Sequence, residues 1–144
     1  MLIFEKKIES SFQAVDDVVE DILKKIKVKF QFISTRFLFN IEFMLREILN
    51  NAVEHGNHFD TQKEVSCKIE YNVPVMSFLI KDEGQGIDPN NLKVESHDPK
   101  SLLRERNRGH QTIIDMDFDI KIDGNAVTIL LNLNQEVPIW KNNN

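Results

Sequence analysis

Apolar positions fall into alternating blocks of two periods along the chain. Residues 2–10 mix apolar and charged side chains with a strand-like alternation. Residues 13–27 then place Val15, Val18, Val19, Ile22, Leu23 and Ile26 at helical spacing, with acids early and lysines late, which suits the helix dipole. A second, stronger helix is expected over 37–55, with Gly56 ending it as a residue tolerant of the left-handed conformation. Ile41, Leu45, Ile48 and Ala52 line one stripe of that helix.

The period then changes to two. Val65, Cys67, Ile69 and Tyr71 point one way, and Ser66, Lys68 and Glu70 the other. After a turn at Asn72-Val73-Pro74, residues 75–81 are almost continuously apolar, so the two runs predict a hairpin. Residues 82–89 read as loop and 90–108 as a polar connector with poor periodicity. A short helix is expected from about 110 to 116. A second hairpin follows, 118–123 and 126–133 around Gly124-Asn125. This order predicts an α+β two-layer sandwich: a mixed, mostly antiparallel sheet covered on one face by helices. The expected domain spans 1–134, with 135–144 as a tail in which Trp140 is able to dock.

Composition narrows the setting. The 144 residues suit one domain, and 41% hydrophobic with 28% charged residues is ordinary for a globular protein. Eighteen basic against twenty-three acidic side chains give a net charge of −5, which argues against direct nucleic-acid binding. No apolar run approaches the roughly 20 residues of a membrane span. Cys67 is the single cysteine and no leader-like segment is evident, so a reducing, cytoplasmic setting is expected. The four histidines make no zinc-type pattern with Cys67.

Three segments carry candidate chemistry. On the second helix Glu47 and Asn51 stack one turn apart, with Asn50 and His55 at the margins. An amide oxygen there is a hard ligand suited to Mg²⁺, and the carboxylate is able to accept a proton from an attacking hydroxyl. Taken alone, the pair describes a solvated helix face more often than a site. Asp82-Glu83-Gly84-Gln85-Gly86 follows the apolar strand. Its two glycines permit sharp bending and close ligand approach, and Asp82 is placed to accept from an exocyclic amine such as adenine's. The same string also describes a plain acidic turn, and it matches neither the Rossmann fingerprint nor a P-loop. Arg104 to His110 brings arginines and Gly109 to an expected helix start, either a phosphate site or a basic cap.

In this order, the three segments resemble the N, G1 and G2 boxes of the GHKL superfamily of ATPases with the Bergerat ATP-binding fold. The likeness spans residues 37–133. Glu47, Asn51, Ala52, His55 and Gly56 are similar to the N box of bacterial anti-sigma-factor serine kinases. That resemblance implies Glu47 as general base, Asn51 as Mg²⁺ ligand and Asp82 as adenine reader. It also implies Gly84 and Gly86 in the pocket floor, His55, Arg108 and Gly109 among the nucleotide-binding residues, and Thr128 contacting adenine through water. ATP and Mg²⁺ are the implied cofactors. The implied function is to sequester a sigma factor and phosphorylate a STAS-type anti-sigma antagonist, as a homodimer. One departure stands out: Asn107-Arg108-Gly109-His110-Gln111 replaces the usual Gly-x-Gly, and a binding module without phosphoryl transfer is the alternative. A sensor-kinase catalytic domain fits less well, because no dimerising helix pair with a phosphoacceptor histidine precedes it.

Overall fold

The computed structural model describes residues 1–85, 112–113, 115–116 and 118–135. Strand β1 (Leu2–Glu9) leads into helix α1 (Phe12–Lys29), which Ser11 caps by accepting from the Ala14 N–H at 3.1 Å. Helix α2 (Thr35–Asn51) starts in the same way, with Ser34 accepting from the Phe37 N–H at 3.0 Å. Then come β2 (Glu64–Asn72), β3 (Val75–Lys81), β4 (Asp119–Asp123) and β5 (Ala126–Asn132).

The strands form one sheet in the order β1-β2-β3-β5-β4. All four pairings are antiparallel, so among the described residues the sheet is not mixed. Both hairpins form as the alternation predicts. Of the expected helix near 110–116, Thr112, Ile113 and Asp115 are helical, and the Met116 N–H reaches back to Thr112 O at 3.1 Å.

The layer contacts follow from the two periods. Val65, Cys67, Ile69, Met76, Phe78, Ile80 and Ile129 are buried and join α1 (Val15, Val19, Ile22, Ile26) and α2 (Ile41, Met44, Leu45, Leu49) in one apolar cluster. Each such side chain contributes about 1.5–3 kcal/mol of transfer free energy, which outweighs any propensity term. The alternate positions, among them Ser66, Lys68, Ser77, Leu79 and Thr128, occupy the opposite face, which no described helix covers. Arg46 of α2 pairs with Asp16 of α1 at 2.5 Å and with Glu42 at 3.1 Å, but these groups are half exposed and contribute little. No helix of the described residues is long and apolar enough to cross a membrane.

The end of α2 departs from expectation. After Asn51 the backbone widens into a π-helical turn, Ala52–Gly56, closed by the Asn57 N–H donating to Ala52 O at 2.8 Å. Gly56 does not take the left-handed conformation. That role passes to His58 (φ 51°) and Phe59 (φ 57°), held by the Phe59 N–H donating to Val53 O and by an edge-to-face contact of Phe59 with Phe12 at 5.1 Å. The reason for a glycine at position 56 lies elsewhere, in what approaches it.

Candidate functional site

Strand β3 points its C-terminal end at the last turn of α2, and there Asp82 meets Gly56. A β-carbon on Gly56 would stand 2.1 Å from Asp82 Oδ2 and 2.9 Å from its Cβ. A β-carbon on Gly84 would stand 2.2 Å from the Gly56 carbonyl oxygen. No side chain fits at either position while the carboxylate stays in place. These glycines allow three backbone segments to close around one acid.

Asp82 is held on several sides. Its N–H donates to Asn125 O at 3.1 Å, and its carbonyl accepts from Asn125 Nδ2 at 2.5 Å. Its Oδ1 accepts from the Gly84 N–H at 2.8 Å, closing a local turn. Asn125 is presented by the tight turn between β4 and β5, where Gly124 sits at φ 60°. Asn57, fully buried, secures the neighbouring residue. Its Oδ1 accepts from the Glu83 N–H at 2.8 Å, and its Nδ2 donates to Ser10 Oγ at 2.9 Å and Glu64 O at 3.1 Å. Ser10 in turn donates to Lys63 O. The start of α1, the start of β2 and the end of β3 thus converge on one amide.

Beside Asp82 lies a polar cavity of about 370 Å³, lined by His55, Gly56, Asp82, Gly84, Asn125 and Val127, with His58 and Lys63 also on its wall. Its size falls in the range of small-molecule sites. Asn51 precedes Gly56 by five residues, or roughly 7 Å along the helix axis, and Glu47 by nine, or roughly 13 Å. Both project from the same helix that supplies Gly56 to the cavity. Asn51 is buried, and desolvation raises the Glu47 carboxyl above its ordinary pKa. A higher pKa makes the ionised carboxylate a better proton acceptor.

Of the residues expected from sequence, His55, Asp82 and Gly84 come together at the cavity, and Asn51 and Glu47 extend the same helix away from it. Thr128 is not brought there. It pairs with Leu79 on the sheet face opposite the two helices, whereas its neighbour Val127 lines the cavity. Strand alternation separates the two. Gly86, Arg108 and Gly109 lie outside the described residues. Sequence reasoning missed Asn57 and Asn125, whose only local signal is an amide beside a glycine; their partners lie up to 47 residues away.

The family model for the histidine kinase-like ATPase domain matches residues 5–130. The chain belongs to this family. Among curated proteins, none matches it. Membership in the histidine kinase-like ATPase family implies ATP binding, and the matched span contains Glu47, Asn51, Asp82 and Gly84.

The side chains present fit a magnesium nucleotide. No group of three or more His, Cys, Asp or Glu residues among those described forms a metal cage. Mg²⁺ does not need one, since it characteristically takes one or two protein oxygens plus phosphates and water. Asn51 offers a buried amide for this. The preceding residue in sequence, Asn50, has a buried Oδ1 without a hydrogen-bond partner.

Proposed function

We propose that this chain is an ATP-binding anti-sigma factor and serine-protein kinase. It would sequester a sigma factor and phosphorylate a STAS-type anti-sigma antagonist, working in the cytoplasm as a homodimer. The observation that carries the nucleotide part is the meeting of Gly56, Asp82 and Gly84 at the end of the helix that bears Glu47 and Asn51. The N-box likeness supports the narrower assignment to anti-sigma kinases.

In this reading Asp82 accepts a hydrogen bond from the exocyclic amine of adenine, and the fixed turn around it sets the ring's orientation. Gly56 and Gly84 admit the close approach of the Asp82 carboxylate and the Gly56 carbonyl that holds this turn in place. Asn51 supplies an amide oxygen to Mg²⁺, and Glu47 takes the proton of the attacking serine hydroxyl. Bound Mg-ATP supplies the transferable phosphoryl group. Catalysis then rests on positioning and charge neutralisation, with no covalent enzyme intermediate.

Calorimetric titration with ATP, with and without Mg²⁺, tests the proposal. Asp82→Asn retains an oxygen for the Gly84 N–H but turns the other carboxylate atom into a donor facing a donor. Loss of a hydrogen bond to a charged acceptor costs about 1.5–3 kcal/mol, or roughly ten- to a hundredfold in Kd. Unchanged affinity in Asp82→Asn would remove Asp82 as the adenine reader. Glu47→Ala is expected to bind Mg-ATP and transfer no phosphate.

A second reading is favoured by the replaced glycines at 107–111: a module that sequesters its partner without phosphoryl transfer. Wild-type protein that binds Mg-ATP and its sigma factor yet leaves the antagonist's serine unmodified would establish it.

A further inference from the structure

β3 is the middle strand of the sheet, so the face turned away from α1 and α2 has two strands on each side of a central one. Register lines its side chains up in rows across all the strands. From β1 to β4, one row reads Glu5, Lys68, Leu79, Thr128 and Lys121. The next reads Lys7, Ser66, Lys81, Ala126 and Asp123. Each row carries opposite charges at its two ends, and the order of signs reverses from one row to the next. Glu5, Lys7, Lys121 and Asp123 are all exposed. At the centre Leu79 is 39% exposed, and beside it Lys68 pairs with Glu70 at 3.6 Å within the face.

This pattern is complementary to itself. A second copy, turned by a half-rotation about an axis along β3 and laid face to face, sets β1 opposite β4 and β2 opposite β5. Glu5 then faces Lys121 of the second copy, and Lys7 faces Asp123 of the second copy. Symmetry makes each contact twice. Leu79 meets its own counterpart on the axis. Lys81 does too, but it ends its strand and is exposed, so its long stem can carry the charge out to water. A two-fold axis across the strands is disfavoured by the same charges. It would lay Glu5 on Glu5, Lys68 on Lys68, Lys121 on Lys121 and Asp123 on Asp119. The face is also large enough. Strands about 4.8 Å apart and seven residues long cover roughly 550 Å² per copy, or about 1,100 Å² for two, above the ~1,000 Å² that a specific interface needs.

We propose that two copies of this chain meet through this face, sheet on sheet, about a two-fold axis parallel to β3. Leu79 forms the centre of the contact and the two charge pairs at the sheet edges fix its register. The inference stands on the sheet alone and takes nothing from the nucleotide site. To the homodimer of the preceding reading it supplies the interface.

Sedimentation equilibrium of the whole chain tests it. The wild type is expected to form a reversible dimer that weakens as salt is raised, because its rim contacts are ionic. Lys121→Glu places acid against Glu5 in both symmetric contacts and should raise the dimer Kd roughly tenfold or more at low salt. Glu5→Lys should do the same, and the double variant, which restores opposite charges, should recover most of the wild-type affinity. A monomeric wild type would overturn the proposal together with the homodimer. A dimer indifferent to both single reversals would overturn the interface and leave the homodimer standing, on another surface. A double variant as weak as the singles would overturn the axis. If these variants fail to fold, as circular dichroism would show, Lys7→Glu, Asp123→Lys and their combination decide in the same way. ATP titration of the wild type tests the nucleotide reading separately from all of these outcomes.

Discussion

Replacing Gly56 by alanine tests the meeting of helix and acid directly. The new methyl would lie 2.1 Å from Asp82 Oδ2, 2.3 Å from Cγ and 2.9 Å from Cβ, all well inside contact distance. The carboxylate cannot step aside cheaply. Its Oδ1 accepts from the Gly84 N–H, and Asn125 holds its backbone on both the N–H and the carbonyl. If Asp82 rotates, it loses a hydrogen bond to a charged group, about 1.5–3 kcal/mol. If instead the turn Ala52–Gly56 shifts, overpacking costs about 1–3 kcal/mol. Alanine recovers at most about 1 kcal/mol through its better helical propensity. The net expectation is roughly 1–2 kcal/mol of lost stability, together with at least tenfold weaker ATP binding, because both responses move the carboxylate relative to the pocket. Urea unfolding gives the first quantity and calorimetry the second. A Gly56→Ala protein with the midpoint and ATP affinity of the wild type would refute the claim that this contact shapes the site.

Glu47→Gln should be at least as stable as the wild type at pH 7. Burial raises the Glu47 pKa, so the folded state holds the proton more tightly than the unfolded chain, and the ionised form costs stability at neutral pH. That cost fades as pH falls through the folded pKa towards the ordinary value of 4.5, so urea midpoints of the two proteins should converge in acid. Asn57→Ala leaves the Glu83 N–H, Glu64 O and Ser10 Oγ without their buried partner. A loss of about 3 kcal/mol or more is expected by denaturant unfolding, with weaker nucleotide binding as the Asp82 loop loosens. The Cys67 thiol is buried and pushed up to about 12, so it should resist a thiol reagent at pH 8 until the chain unfolds, and rapid labelling of native protein would contradict its placement.

Periodicity alone determined most of the scaffold. The stripe through Ile41, Leu45 and Ile48 and the alternation through Val65, Cys67 and Ile69 each state which side must leave water, and the structure buries those positions. The order of acid, amide and glycine in Glu47, Asn51, Gly56, Asp82 and Gly84 was likewise visible, since chemically distinctive residues keep their identity in a string. Three features required the folded chain. Gly56 reads as a helix stop, yet its lack of a side chain serves the approach of Asp82, a residue 26 positions away. Asn57 and Asn125 look like ordinary turn residues until their partners come from other elements. Thr128 and Val127 differ by one position, and strand registration sends only Val127 to the cavity. Hydrophobic patterning is a local signal because burial repeats with the backbone period. A site is made by side chains that meet across the sheet, and those distances are set only when the layers pack.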